Sequence, residues 1–236
     1  MIPISWTHPL WRRFWRTPGA LEPPIHDGPA EGGDLQGEAA ERAQEAEVAP
    51  SPAPKPDYSL MADSLAVART QIGVREQPPG SNSGPEVDGY LRSVGRQPGD
   101  PWCAALVFSC IQQAWVKRHG GWDEYEGAPA VPFPRTAYTP RIWSWAQRQG
   151  PGYWASPAGV HLGREVTDGA LFLLYGKVGE TERVNHVGFV ERLDLADQVV
   201  CTIEGNTNPA GSREGGGVFR RERRLGGIYR FVVYGI

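Results

Sequence analysis

Cys103 is the residue best suited to chemistry in this chain. It lies in Pro101-Trp102-Cys103-Ala104-Ala105-Leu106-Val107-Phe108-Ser109-Cys110. Leu106, Val107, Cys110, Ile111 and Ala114 recur at helical spacing. A proline sits just before or at a helix start, not inside it, so the pattern predicts Cys103 in the first helical turn. Free N–H groups and the positive end of the helix dipole favour an anion there, and a thiolate is such an anion. A sulfur nucleophile also needs a base. His186 supplies one in Asn185-His186-Val187-Gly188-Phe189-Val190, which reads as a strand. A third polar group follows in Thr202-Ile203-Glu204-Gly205-Asn206-Thr207-Asn208. Glu204 and Asn206 are two apart and would share a strand face, but Gly205 between them is a natural strand end.

These residues, in this order, suit attack on an amide carbonyl. Cys103 is the nucleophile. His186 pairs with the thiolate and then protonates the leaving amine. Glu204 or Asn206 fixes the imidazole tautomer. The backbone N–H of Cys103 is the natural first donor to the oxyanion; Asn185 and Asn206 are candidates for the second. Cys110 and Cys201 read as small buried hydrophobes, and three cysteines are too few for a disulfide framework. His8, His26, His119 and His161 have no motif around them.

The elements that must position this set divide the chain in two. Leu60, Met61, Leu65, Ala68 and Ile72 form a helical stripe that Gly73 ends. A turn-rich loop over 77–85 leads to a short helix near 86–94, and Ser81 and Asn82 in that loop read as a plain turn before a substrate-cleft loop. After the Cys103 helix, 120–138 is a loop rich in Gly, Pro and aromatics. Trp143, Trp145 and Ala146 mark another short helix, ended by Gln149-Gly150-Pro151. Strands are expected over 170–175, 186–193, 199–203, 218–222 and 228–234. Helices first and closely spaced strands second give an α+β domain, with the helices packed on a C-terminal antiparallel sheet. Trp115, Trp122, Trp143, Trp145 and Trp154 could form a sugar-binding floor, but aromatics dominate cores and the core reading is preferred.

Residues 1–57 differ from this domain, which spans 58–236. Pro, Gly, Glu and Ala dominate from Thr17 onward, a composition that buries too little surface to offset ordering entropy. The expectation is a disordered Pro-rich arm, with 35–48 as a transient helix and Pro50, Pro52, Pro54 and Pro56 as a spacer. Within residues 1–16, Trp6, Trp11, Phe14 and Trp15 interleave with Arg12, Arg13 and Arg16. That peptide reads equally as a dock for a membrane surface or partner protein and as an arm folded onto the domain. No apolar core follows its charges, so it does not read as a secretory signal. The net charge of −3 gives no argument for a nucleic-acid partner.

Taken together, the motifs resemble those of the CHAP family, the cysteine, histidine-dependent amidohydrolases and peptidases that cut bacterial peptidoglycan. The resemblance rests on Pro-Trp-Cys-Ala-Ala before an apolar helix, on Asn-His-Val-Gly-Phe-Val and on Glu-Gly-Asn-Thr. It extends through Gly73-Val74-Arg75-Glu76, Gly80-Ser81-Asn82-Ser83-Gly84-Pro85 and Gly169-Ala170-Leu171-Phe172, and covers about residues 58–236. It implies a papain-like fold and a Cys103–His186–Glu204 triad, with Asn206 as a supporting polar residue. Many relatives carry Gln before the cysteine, where its side chain serves the oxyanion; Trp102 stands there in this chain. Some relatives bind calcium through Asp-rich residues upstream. Here only Asp88 and Asp100 lie near, without the alternating carboxylates of such loops, so neither a metal nor a cofactor is expected.

The function implied is an amidase or endopeptidase of peptidoglycan, either a phage lysin (endolysin) or a delivered effector. It would be made in the cytoplasm without a signal peptide and would act at the wall or periplasm after delivery or lysis. Residues 1–16 would then dock on a delivery machine or membrane surface. Two alternatives are an inactive wall-binding or structural component that keeps the fold, and a papain-like hydrolase of a non-wall amide.

Overall fold

The computed structural model describes residues 58–120, 130–208 except 162 and 164, and 215–235. Expectations for residues 1–57, and for Trp122 in the 120–138 loop, lie outside the described residues. Four helices come first: α1 (Tyr58–Gln71), α2 (Pro85–Ser93), α3 (Cys103–Arg118) and α4 (Thr139–Gln149). Strand β1 (Trp154–Ala155) and the short helix α5 (Pro157–His161) follow. Then come β2 (Leu171–Val178), β3 (Thr181–Asp194), β4 (Val199–Thr207), β5 (Gly217–Arg224), a 3-10 turn (Leu225–Gly227) and β6 (Arg230–Val232). The six strands make one antiparallel sheet in the order β1-β6-β2-β3-β4-β5. The domain is therefore α+β.

Helix α3 is the hub. From Cys103 to Ile111 every residue is buried, because α3 packs against α1 and α2 on one side and β3 and β4 on the other. A helix covered all round needs apolar residues all round, and α3 has them over its first two turns. Leu60, Met61, Leu65 and Ala68 of α1 are buried, as their stripe requires. Trp102, Trp115, Trp143, Trp145 and Trp154 all belong to or pack on the core. Trp102 and Trp115 are buried, while Trp143, Trp145 and Trp154 are partly buried against the core, in line with the core reading.

The Gly73-Val74-Arg75-Glu76 stretch runs along the outer edge of β5. Gly73 N–H donates to Val218 O at 3.1 Å, Val218 N–H to Val74 O at 3.0 Å and Glu76 N–H to Gly216 O at 2.8 Å. This covers one end of an edge strand that is otherwise guarded by charge, Arg220-Arg221-Glu222-Arg223-Arg224.

Several boundaries differ from the sequence pattern. β3 begins at Thr181 because it forms a hairpin with β2. β4 passes through Gly205 to Thr207, a register shift after Glu204 absorbing the irregularity. The last strand shrinks to Arg230–Val232, since Leu225–Gly227 turns as 3-10 and Val233 N–H donates to Tyr153 O at 3.0 Å. β1 and α5 are too short for periodicity to reveal.

Candidate active site

Cys103 is the first residue of α3, after N-cap Trp102, and no side chain caps that helix start. The first-turn N–H groups, Cys103's included, therefore have no acceptor within the helix or from a capping side chain. Three contacts fix Trp102, and through it Cys103. Its indole stacks on Tyr90, with ring centroids 5.8 Å apart. Its Nε1–H donates to the buried Glu76 carboxylate at 2.9 Å. Its backbone N–H donates to the side-chain oxygen of Asn206 at 3.2 Å, with the amide turned so that donors meet acceptors. In that orientation the Asn206 amide nitrogen donates to Asn82 Oδ1 at 3.1 Å and to Gly215 O at 3.2 Å.

These contacts bear on several residues singled out in the sequence. Asn206 is buried and committed to three partners, so it has no hydrogen left for an oxyanion. It tethers the residue before the sulfur. Trp102 is fully buried and likewise offers nothing to the substrate. Asn82 exchanges hydrogen bonds with Gly99, its side-chain Nδ2 donating to Gly99 O at 3.3 Å and its backbone O accepting from Gly99 N at 2.9 Å. The Gly80–Ser83 turn is thus a tie for the loop ahead of α3. The close fit also explains Gly205: a Cβ there would lie 2.5 Å from Leu106 Cδ2 and 2.6 Å from Trp102 Cζ3. At Gly188 a Cβ would lie 2.7 Å from Ile203 O and 2.8 Å from Phe172 Cε1.

Behind Cys103 runs a row of buried charged groups. His186 is fully buried and its Nε2 meets Glu204 Oε2 at 2.9 Å. Glu204, also fully buried, accepts a hydrogen bond from Thr202 Oγ1 at 2.5 Å. Arg223 binds Glu204 bidentately, Nε to Oε1 at 2.6 Å and Nη2 to Oε2 at 2.5 Å. The Arg223 guanidinium also lies 5.4 Å from the centroid of Phe172, whose ring is 6.0 Å from the imidazole.

Burial opposes charge on both members of the central pair, but their partners outweigh it. For His186, burial lowers the pKa, while Cys103 and Glu204 raise it to about 9 against an ordinary 6.5. For Glu204, burial raises the pKa, while His186 and Arg223 lower it to about 2 against an ordinary 4.5. His186 Nδ1 is buried and has no hydrogen-bond partner. Since Glu204 occupies Nε2, Nδ1 is the nitrogen left for sulfur. Cys103 stands close enough to act on the imidazole without completing a hydrogen bond to Nδ1, and such contacts commonly close only with substrate bound.

The sulfur side opens to a cleft of about 560 Å³. Cys103 is only 5% exposed, yet it lines this cleft together with Asn185, Tyr138, Thr139 and Val178. Thr139 Oγ1 donates to Val184 O at 2.8 Å and so pins the start of α4 to β3. Both candidates for second oxyanion donor line the cleft, but the Asn206 amide is committed to Trp102, Asn82 and Gly215.

The other expected residues lie apart from this chemistry. Cys110 is fully buried, and burial pushes its thiol up. Cys201 is half-buried, and both are free thiols. Asp88 accepts from Ser83 Oγ at 2.9 Å, and Asp100 pairs with Arg96 at 2.8 Å. Among the described residues no cluster of three or more His, Cys, Asp or Glu could hold a metal, and no helix is long and apolar enough to cross a membrane. His119 sits at the far end of α3, its Nδ1 2.8 Å from Trp115 O; His161 ends α5.

Sequence reasoning missed Arg223, Thr202 and Glu76. Thr202 was legible, since it lies two residues before Glu204 on one strand face. Arg223 was not, because it sits opposite Val200 in the ladder and reaches Glu204 diagonally. No protein-family model matches the chain, and neither the curated proteins nor the solved structures yield a match.

Proposed function

We propose that the chain is a cysteine amidohydrolase of the CHAP type, with a papain-like fold, that cleaves an amide of bacterial peptidoglycan through an acyl-enzyme on Cys103. The observation that carries this reading is the row Cys103, His186, Glu204, Arg223. It begins at a helix start that opens to a cleft, and its buried nitrogen without a partner, His186 Nδ1, is the one left for sulfur. Its inner end is a carboxylate locked by a guanidinium, so the imidazole has a single tautomer and orientation.

The chemistry runs as follows. Cys103 Sγ attacks the carbonyl carbon and an S–C bond forms. The oxyanion faces the Cys103 N–H at the uncapped start of α3. His186, charged below about pH 9, gives its Nδ1 proton to the leaving nitrogen as the C–N bond breaks. Water then attacks the thioester carbon while His186 takes its proton. The C–S bond breaks, the carboxylic acid product leaves and gives its proton to solvent, and the thiolate–imidazolium pair is restored. Glu204 touches no reacting atom; it is a positioning residue that keeps the imidazole charged. Neither a metal nor a cofactor is needed to balance these steps.

The test uses purified peptidoglycan incubated with the full chain and with Cys103→Ala, the products being identified by mass spectrometry. New amino and carboxyl termini with the parent alone are expected. Binding without cleavage by either protein marks a non-catalytic wall component. Cleavage of other amides but not of peptidoglycan refutes the substrate assignment.

A further inference from the structure

Residues 94–101, 135–141 and 178–185 form the walls of the cleft in front of Cys103, and they bring four arginines to it: Arg96, Arg135, Arg141 and Arg183. Among the described residues the one acidic group lining the same space is Asp100, whose carboxylate is spent on Arg96 at 2.8 Å. The whole chain carries a formal charge of −3, so the cleft is positive against a negative background. Charge of one sign gathered in a concave, low-dielectric wall focuses the field where a substrate enters.

The arginines are not spread by accident of loop composition. Arg183 lies two residues before Asn185 on β3, and both line the cleft, as strand alternation requires. Its guanidinium carbon lies 4.8 Å from the centroid of the exposed Tyr138 ring, and a cation over a ring face keeps its edge N–H groups available for hydrogen bonds. Arg135 spends its Nε on Ser93 O at 2.7 Å, which fixes the guanidinium at the rim of α2. Arg141 lies in the first turn of α4, the turn that Thr139 ties to β3. Three separate segments thus bring a guanidinium to this wall, Arg135 held by Ser93 O and Arg183 by the Tyr138 ring. None of these arginines contacts the His186–Glu204 pair, so the buried row does not need them.

Guanidinium is a planar fork whose geometry matches a carboxylate. A neutral amide in a peptide offers no anion to such a wall, whereas a peptide with free carboxylates beside the scissile bond does. We infer that the cleft selects amide substrates bearing free carboxylates next to the cleaved bond, bound by Arg141, Arg183 and Arg135. The inference rests on the amidohydrolase reading for its scissile bond, but the binding it asserts does not require turnover.

The probe is a pair of muropeptides with identical sequence, one with free stem carboxylates and one with those carboxylates converted to primary amides. Binding to the full chain carrying Cys103→Ala is measured by calorimetry, so no cleavage intervenes. The free-carboxylate form is expected to bind roughly tenfold or more tightly, with the advantage shrinking as salt rises. Arg141→Gln combined with Arg183→Gln is expected to bring the two affinities together while the melting temperature stays unchanged, since these side chains do not support the core. Equal affinity of Cys103→Ala for the two forms, or affinity for neither, overturns the inference. A preference that survives the double arginine substitution overturns the assignment to these residues. Hydrolysis by the parent chain is read separately: selective binding without any cleavage leaves the specificity standing and refutes the amidohydrolase reading.

Discussion

Removing Arg223 is the sharpest probe of the buried row. Arg223→Met keeps the apolar stem over Phe172 and deletes the fork that grips Glu204 at 2.5 and 2.6 Å. Glu204 is fully buried and the Arg223 side chain is 16% exposed, so water replaces the fork only in part. Each hydrogen bond to a charged group contributes roughly 1.5–3 kcal/mol, and breaking a buried ion pair costs roughly 3–5 kcal/mol. Partial exposure puts the expected loss near the lower end, at about 3 kcal/mol. For a domain of 150–250 residues that is a fall in melting temperature of roughly 6–12 °C.

A thermodynamic cycle with Glu204→Gln isolates the pair. The double variant is expected to be about as stable as the worse single one, with a coupling of about 2–3 kcal/mol. Arg223→Met also releases the Glu204 carboxyl upward from about 2, so the acid limb of activity against pH moves up as well. Melting curves and a pH–rate profile on peptidoglycan measure both. Additive losses in the cycle, or an acid limb that does not move, would refute the claim that Arg223 holds Glu204 ionised.

Two further predictions follow from burial and charge. Glu204 is depressed in the fold, so its contribution is present above about pH 4.5 and is lost as pH falls toward about 2; His186 is raised, so its contribution is full below about pH 6.5 and fades as pH rises through about 9. Melting temperature against pH should therefore be highest between those two ordinary values and decline on both sides, and a melting temperature that climbs from neutrality to pH 9 contradicts the assignment. Gly205→Ala forces a methyl against Leu106 and Trp102 and should cost roughly 1–3 kcal/mol by overpacking. Because Trp102 precedes Cys103, that variant should also lose cleavage in excess of its loss of fold; a normal rate in the folded variant would show that the sulfur does not depend on this contact.

The parts of the molecule that were legible in the sequence share a physical cause. α1 and α3 announce themselves because each buries a continuous apolar stripe, and Pro101 fixes where α3 starts. His186 and Glu204 come to adjacent strands because short connections between strands favour neighbours in an antiparallel sheet. What was illegible depends on register. The shift between Glu204 and Thr207 lets Asn206 adopt φ +55°, a conformation that asparagine tolerates better than most residues. That turn commits its amide to Trp102, Asn82 and Gly215, and no periodicity could say so. Arg223 was hidden for the same reason, inside a run of arginines that reads as a charged edge. The cleft arginines come from three segments far apart in sequence, and only the fold brings them to one wall.

The row behind Cys103 also carries an argument independent of any resemblance. Burying a carboxylate, an imidazolium and part of a guanidinium is a poor way to stabilise a core, since well-packed apolar residues of equal volume do as well or better. Leaving His186 Nδ1 enclosed without a partner worsens the account by the desolvation of a polar atom. Yet the carboxylate at the centre of the row is fully satisfied: Glu204 has Thr202, His186 and two nitrogens of Arg223. Glycine at 188 and at 205 gives the strands and α3 the close approach that brings the groups together. A fold selected for stability alone has no need of such a row. Alternating charges that end on one unsatisfied nitrogen, beside a sulfur at an uncapped helix start, are what proton transfer requires, and the stability given up there is the physical case for chemistry at Cys103.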